Sequence, residues 1–217
     1  SASHELRTPL AVVRSGLESV EKCSNEEERN YFLHLMSEET VHMKRLIDDM
    51  LLLANSDADT LTIKPEACQP DLLLLDTYEK FEPLAKKNGL HLILTLPEEI
   101  LPDCFCDIHR TEQIFSIIVD NALCYTPSGG KVTLSCHAEN EMLCFLFKDT
   151  GCGISEEKKS HIFERFYRAD DAHTDREHFG LGLCIAKELT EKQNGNIQVV
   201  DAPISGSCFM VQLPCAL

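Results

Sequence analysis

Apolar positions in the first part of the chain recur at helical spacing. Steps of four and three connect Leu6, Leu10, Val13, Leu17 and Val20, which places them along one side of a helix. A second seam with the same steps holds Phe32, Met36, Glu39, Met43, Leu46, Met50 and Leu53. Residues 1–57 are therefore predicted to form a helical hairpin. Because two helices cannot bury both of their faces, the seam predicts a homodimeric four-helix bundle.

The starts of these two helices are marked by capping signals. Ser24-Asn25-Glu26-Glu27 reads as a Ser-x-x-Glu capping box and predicts the start of the second helix. Thr8-Pro9 similarly suggests that the first helix starts at residue 8. Carrying the helical phase back from the seam instead places His4 and Thr8 together on the side away from it, with Glu5 between. We therefore expect the helix to include His4, with Pro9 bending it from inside.

After residue 60 the pattern changes to short strands between helices. Alternation and turn signals predict strands at 61–64, 90–96, 131–137, 142–148, 197–200 and 207–213. Helices are predicted at 70–87, 108–124 and 183–193. The mixture indicates an α+β fold, a two-layer sandwich. Residues 150–180 have little regular pattern, as is typical of a lid, a binding loop or disorder.

Composition narrows the possible partners. The chain has 20 basic and 36 acidic residues, a net charge of -16, so nucleic acid is not an expected partner. Eleven cysteines scattered through apolar segments indicate reduced thiols in a cytosol rather than a disulfide framework. Cys104-Phe105-Cys106 alternates as a strand would and lacks a second ligand pair, so it does not predict a zinc site. No apolar run approaches the ~20 residues that span a bilayer.

Four short motifs occur in a fixed order. They are HELRTP at 4–9, DNALCYTP at 120–127, DTGCGI at 149–154 and GLGL at 180–183. Each is weak alone, and none matches the phosphate loop or the dinucleotide fingerprint. Together they resemble the bacterial sensor histidine kinases, whose ATP-binding domain is shared with gyrase, heat-shock chaperones and MutL. The resemblance implies a dimerisation and phosphotransfer domain at 1–57 and a catalytic ATP-binding domain at 58–217, with a lid at about 150–180.

The second and third motifs carry groups suited to a nucleotide. Asp149 can accept a hydrogen bond from an exocyclic amine, while Gly151 and Gly153 let a flat base approach the backbone. Asn121 offers a neutral oxygen to Mg²⁺, and Tyr125 offers a ring for stacking. The alternatives are ordinary: a turn residue at Asp149, a helix C-cap at Asn121 and a core ring at Tyr125.

The fourth motif stands where a helix is predicted to begin. Gly180 and Gly182 would let exposed amides and the helix dipole face phosphates. In the family the matching positions have these roles, and the intervening loop folds over ATP as a lid.

The first motif holds the predicted phospho-acceptor. The resemblance implies Mg-ATP-dependent phosphorylation of His4 and transfer to an Asp of a response regulator. Phosphoryl transfer requires mainly positioning and charge neutralisation, and Glu5 can orient the ring and accept its proton. Family resemblance pairs Glu5 with Thr8 in positioning water when the enzyme dephosphorylates its partner.

Three positions depart from the family pattern. Ile117 stands where another Asn is common, Cys124 where a basic residue often precedes the tyrosine, and 177–179 where further glycines are frequent. These changes remove a polar group, a phosphate-facing charge and some lid flexibility. They favour one alternative, a dimeric scaffold with weakened nucleotide binding. A sensor that acts mainly as a phosphatase is a second alternative.

A third alternative is an ATP-hydrolysing relative of the chaperone and gyrase type, against which HELRTP argues. The chain opens at Ser1 rather than at a methionine. If it is a fragment, the missing part is expected to hold a sensor and membrane spans. The present region would then be the cytoplasmic portion of a membrane-bound receptor and would contact the membrane only through those segments.

Overall fold

The computed structural model describes residues 2–168, 179–200 and 206–216, with side chains from Glu5 onward. Within the described residues, the chain divides into two compact units, one of residues 2–61 with 179–181 and the other of residues 62–168 with 182–200 and 206–216. Within the described ranges, no helix combines the length and apolar character needed to cross a bilayer.

The first unit is a helical hairpin made of α1 (Ala2–Lys22) and α2 (Glu26–Asp57). Helix α1 continues through His4 and contains Pro9, as the helical phase of the seam predicts. The start suggested by Thr8-Pro9 is wrong, because the helical pattern already begins before the capping residue. The bend at Pro9 stays a prediction.

The face that α1 turns towards α2 differs from the predicted seam. Leu10 and Leu17 are 58% and 55% exposed, whereas Pro9 and Gly16, one residue earlier in each case, are buried. A Cβ atom at Gly16 would lie 2.6 Å from Met36 Cγ, so the helices approach closely through a small residue. The seam of α2 is largely as predicted, since Met36, Glu39, Leu46 and Leu53 are buried.

The N-cap of α2 is Asn25 rather than Ser24. Asn25 has an extended backbone, and its side-chain oxygen accepts a 2.8 Å hydrogen bond from the Glu28 amide. Asn is at least as good a cap as Ser, so moving the cap by one residue has no cost.

The described residues of the second unit form seven strands and four helices. In chain order they are β1 (Glu66–Cys68), α3 (Pro70–Lys87), β2 (His91–Thr95), β3 (Cys104–Cys106), α4 (Ile108–Tyr125), β4 (Lys131–Glu139), β5 (Met142–Asp149), α5 (Glu156–Lys159), α6 (Gly182–Glu191), β6 (Asn196–Val200) and β7 (Cys208–Pro214).

A five-stranded sheet has the order β2-β4-β5-β7-β6, with β2 parallel to β4 and the other pairs antiparallel. Helix α4 packs between α3 and α6 and contacts β4 and β5, which gives the predicted two-layer α+β sandwich. In its core, the Phe115 ring lies 4.8 Å from that of Phe145 and 5.0 Å from that of Phe147. Strands β1 and β3 form a separate two-stranded sheet.

The strand predicted at 61–64 is wrong, and β1 begins only at Glu66. The Lys64 amide donates a 2.9 Å hydrogen bond to the Asp107 carboxylate, and this contact replaces a strand partner. In the predicted lid, only the short helix α5 interrupts turns and bends as far as residue 168. Residues 169–178, including Glu177 and His178, lie outside the described part of the chain.

Candidate nucleotide site and phospho-acceptor helix

Asp149 is the last residue of β5, and its side chain is only 4% exposed. Its Oδ1 accepts hydrogen bonds from the Gly151 amide at 2.8 Å and from the Ser207 amide at 3.1 Å. Burial raises the pKa of the Asp149 carboxyl, and these amide bonds lower it by less. The carboxyl group is therefore held in one orientation at the end of a strand.

Two glycines after Asp149 lie close to other backbone. A Cβ atom at Gly151 would be 2.4 Å from the Tyr125 carbonyl oxygen. Gly153 has a φ of +76°, and a Cβ there would lie 3.1 Å from the Gly206 carbonyl oxygen. The DTGCGI turn thus brings the end of α4 beside the end of β5.

Gly206 is a site residue that the sequence did not reveal. It has a φ of +87°, and a Cβ atom there would lie 2.0 Å from the Asp149 carbonyl oxygen. The only available signal was a glycine one residue before a predicted strand. That signal does not show that β7 runs beside β5 and brings Ser207 to the Asp149 carboxylate.

Helix α4 supplies the next two predicted residues. Asn121 donates a 3.0 Å hydrogen bond from Nδ2 to the Ile117 carbonyl oxygen, so its Oδ1 is the atom it can offer to a cation. Tyr125 is one turn later and 42% exposed, which contradicts the alternative of a core ring. The helix ends at Tyr125, so Asn121 is not its C-cap.

Helix α6 begins at Gly182, in agreement with the predicted start at the GLGL motif. Gly180, two residues earlier, has a φ of +72°, which favours glycine. A Cβ atom at Gly182 would lie 3.2 Å from Cγ2 of Ile117, so α6 begins beside the helix that carries Asn121. Ile117 thus has a packing role where the family often has an amide.

The predicted phospho-acceptor motif lies on α1 in the first unit. His4 is in the first turn of the helix, and Thr8 follows one turn later with an exposed side chain. Glu5 is half-buried. Beside Thr8, a groove of about 520 Å³ is lined by Arg7, Thr8, Ala11, Val12, Ser15, Gly16, Phe32 and Leu35.

Comparisons with known proteins find a family match in each unit. Residues 106–217 match the family described as histidine kinase-, DNA gyrase B-, and HSP90-like ATPase. Residues 1–59 match the His Kinase A (phospho-acceptor) domain.

Individual relatives agree with these matches. Sensor protein SrrB of Staphylococcus aureus (strain NCTC 8325 / PS 47) is 32% identical over 99% of this chain. The chain spans 37% of the length of SrrB. The solved structure of full-length ShkA in complex with AMPPNP is 28% identical, with a TM-score of 0.78 over 99% of this chain and 44% of ShkA.

Histidine kinase ThkA, solved in complex with response regulator protein TrrA, has a TM-score of 0.75 over 99% of this chain and 60% of ThkA. At 20% identity, it shows the shared fold alone. A phospho-acceptor hairpin followed by an ATPase sandwich is the organisation that the four motifs predict. The chain belongs to the histidine kinase-, DNA gyrase B- and HSP90-like ATPase family, and within it to the bacterial sensor histidine kinases of two-component systems.

Proposed function

We propose that this chain binds Mg-ATP in its second unit, phosphorylates His4 and passes the phosphoryl group to an aspartate of a response regulator. One observation carries the proposal: a buried carboxylate at Asp149, fixed by two amides beside closely packed glycines, occurs in a chain that also holds a phospho-acceptor helix. The boundary between the two functional domains is proposed at residues 57 and 58.

The proposed nucleotide-binding residues contact different parts of Mg-ATP. Asp149 accepts a hydrogen bond from the exocyclic amine of adenine, and Gly151 and Gly153 keep the backbone flat against the base. Tyr125 provides a stacking surface, and Asn121 coordinates Mg²⁺ through Oδ1.

Gly180 and Gly182 present amides at the start of α6 to the phosphates, and the segment at about 150–180 closes over ATP. The adenine nucleotide analogue AMPPNP in the ShkA structure supports the nucleotide class. The chemistry at Asn121 supports the metal, because Mg²⁺ binds through few protein oxygens together with substrate phosphates.

His4 is the nucleophile in this proposal. Its neutral imidazole attacks the γ-phosphorus of ATP, the bond to the bridging oxygen breaks, and ADP leaves with the electron pair. Glu5 orients the ring and accepts its proton. Together with Thr8, Glu5 positions water when the same protein dephosphorylates its response regulator.

Partners follow from the family and the surface. The ThkA structure contains the regulator TrrA, which supports a receiver domain as the class of partner for this fold. Large exposed apolar side chains on the hairpin support a homodimeric four-helix bundle; they are Leu10, Leu17, Leu33, Val41, Ile47 and Leu51. The net charge of -16 argues against a nucleic-acid partner.

Because ATP and response regulators are cytoplasmic, we place this kinase core in the cytoplasm. There it forms part of a membrane-bound receptor whose membrane-spanning segments lie outside this chain.

Autophosphorylation with γ-labelled ATP tests the central step. We expect an acid-labile, alkali-stable phosphoryl group on the protein that is lost in His4→Gln. His34→Gln is the matched control, because His34 is an exposed histidine on α2 and its loss should leave labelling unchanged. Label that survives in His4→Gln would overturn the assignment.

Two other candidates are a dimeric scaffold that binds nucleotide weakly and a sensor whose main activity is that of a phosphatase. The scaffold is favoured by Ile117, which packs on Gly182 where the family commonly has an amide. Calorimetry with Mg-ATP separates the candidates, because a scaffold would give no binding heat. A phosphatase-dominant enzyme would bind ATP but mainly dephosphorylate the purified regulator.

A further inference from the structure

Three thiols meet on the small sheet of the second unit. Strands β1 and β3 pair antiparallel, with Cys68 directly opposite Cys104. Cys106 is two residues beyond Cys104, so its side chain lies on the same face of β3. This cluster could not be predicted from local patterns, because Cys68 is separated from the Cys104-Phe105-Cys106 segment by the whole of α3 and β2.

The thiols are close enough to share one ion. The Sγ atoms of Cys68, Cys104 and Cys106 all lie within 4.8 Å of one another. Cys68 Sγ is 3.4 Å from Cys106 Sγ. With metal–sulfur bonds of about 2.3 Å, ligand sulfurs lie roughly 3.8–4.0 Å apart, so small side-chain adjustments would complete the site.

The surroundings of the three thiols combine burial with access from solvent. Cys104 and Cys106 are fully buried, whereas Cys68 is half-buried and provides access from solvent. The Asp103 carboxylate adds negative charge near Cys68.

The carboxylate nearest in sequence to Cys106 is engaged elsewhere. Asp107 accepts hydrogen bonds from the Lys64 amide at 2.9 Å and from the Arg110 amide at 3.1 Å. The donor set is therefore made of sulfur. Soft thiolate sulfur selects thiophilic d10 ions such as Zn²⁺ and Cu⁺ over Mg²⁺ or Ca²⁺.

We propose that Cys68, Cys104 and Cys106 form a three-thiolate binding site for one thiophilic d10 metal ion, Zn²⁺ or Cu⁺. Such an ion would join β1 to β3, the strand that leads directly into α4. The site is distinct from the Mg²⁺ position proposed at Asn121 and does not depend on kinase activity.

The test uses the reduced, metal-free chain under anaerobic conditions. Zn²⁺ and Cu⁺ are titrated separately in the presence of a competing chromophoric chelator, so that weak binding to the other thiols is not counted. We expect one equivalent of at least one ion to be retained, with three sulfur ligands by X-ray absorption spectroscopy. The retained ion should also raise the unfolding temperature.

Cys68→Ala should lose the retained equivalent and the rise in unfolding temperature. This position tolerates truncation because the side chain is half-buried, and circular dichroism checks that the variant folds. Cys23→Ala is the matched control, since it removes a half-buried thiol from the hairpin and should retain the ion.

Two results would overturn the site. One is that, for both ions, Cys68→Ala retains as much metal as the unsubstituted chain does. This includes the case in which neither protein retains any metal. The other is spectroscopy that finds fewer than three sulfur ligands.

Discussion

Asp149 combines two demands that oppose each other. Its carboxyl group is buried, which disfavours the charged form, yet the proposed recognition of adenine needs an oxygen that accepts a hydrogen bond. The amides of Gly151 and Ser207 partly offset the burial by donating to Oδ1. Buried carboxyl groups with a raised pKa cluster at functional sites, which is consistent with the proposed binding role.

Asp149→Asn should weaken Mg-ATP binding at least about tenfold, because a hydrogen bond to a charged group contributes about 1.5–3 kcal/mol. Calorimetry measures the effect. Asp107→Asn is the control. Asp107 is also a buried aspartate that accepts hydrogen bonds from backbone amides, but it lies outside the DTGCGI motif. Equal affinities of Asp149→Asn and the unsubstituted chain would argue against the adenine role.

The pH dependence of stability provides a second readout of the same substitution. The folded pKa of Asp149 is raised, so its ionisation has no effect below the unfolded pKa of about 3.9 and destabilises the fold as pH rises through the folded pKa. The free energy of unfolding of the unsubstituted chain should therefore fall relative to that of Asp149→Asn as the pH increases. Urea denaturation at several pH values measures both. A constant difference would contradict the raised pKa.

Helix α2 illustrates how local chemistry sets the ends of an element. The Asn25 side chain accepts a hydrogen bond from the Glu28 amide, although Ser24 is also a good capping residue. Asn25→Ala should lower the free energy of unfolding of the hairpin by about 1 kcal/mol, measured by urea denaturation with circular dichroism. Ser24→Ala is the neighbouring control and should change little. A larger loss of stability in Ser24→Ala than in Asn25→Ala would instead identify Ser24 as the N-cap.

At the scale of the whole molecule, the exposed seam of α1 is the feature that one chain leaves unexplained. Leu17→Glu should convert a dimer to a monomer, because it would bury a carboxylate at the proposed bundle core. Light scattering measures the mass. Ile100→Glu is the control, since Ile100 is a fully exposed apolar residue of the second unit. A monomeric unsubstituted chain would contradict the bundle.

Much of the architecture could be predicted from local signals. The period of apolar residues identified the hairpin and most strands of the sandwich, and the four ordered motifs identified the sensor histidine kinase family. Individual positions were less predictable. Gly16, outside the apolar seam of α1, is the residue that approaches Met36 of α2. Residues 61–64 do not form a strand, because the Asp107 carboxylate binds the Lys64 amide.

The sequence by itself determined which chemical groups are present and in which elements they lie, because periodicity and turn residues act over a few neighbours. Only the tertiary structure decided which groups meet. Pairing of β5 with β7 brings Ser207 to Asp149, and pairing of β1 with β3 brings Cys68 to Cys104. The physical reason is that strand pairing joins segments far apart in sequence, and no local pattern specifies that partner.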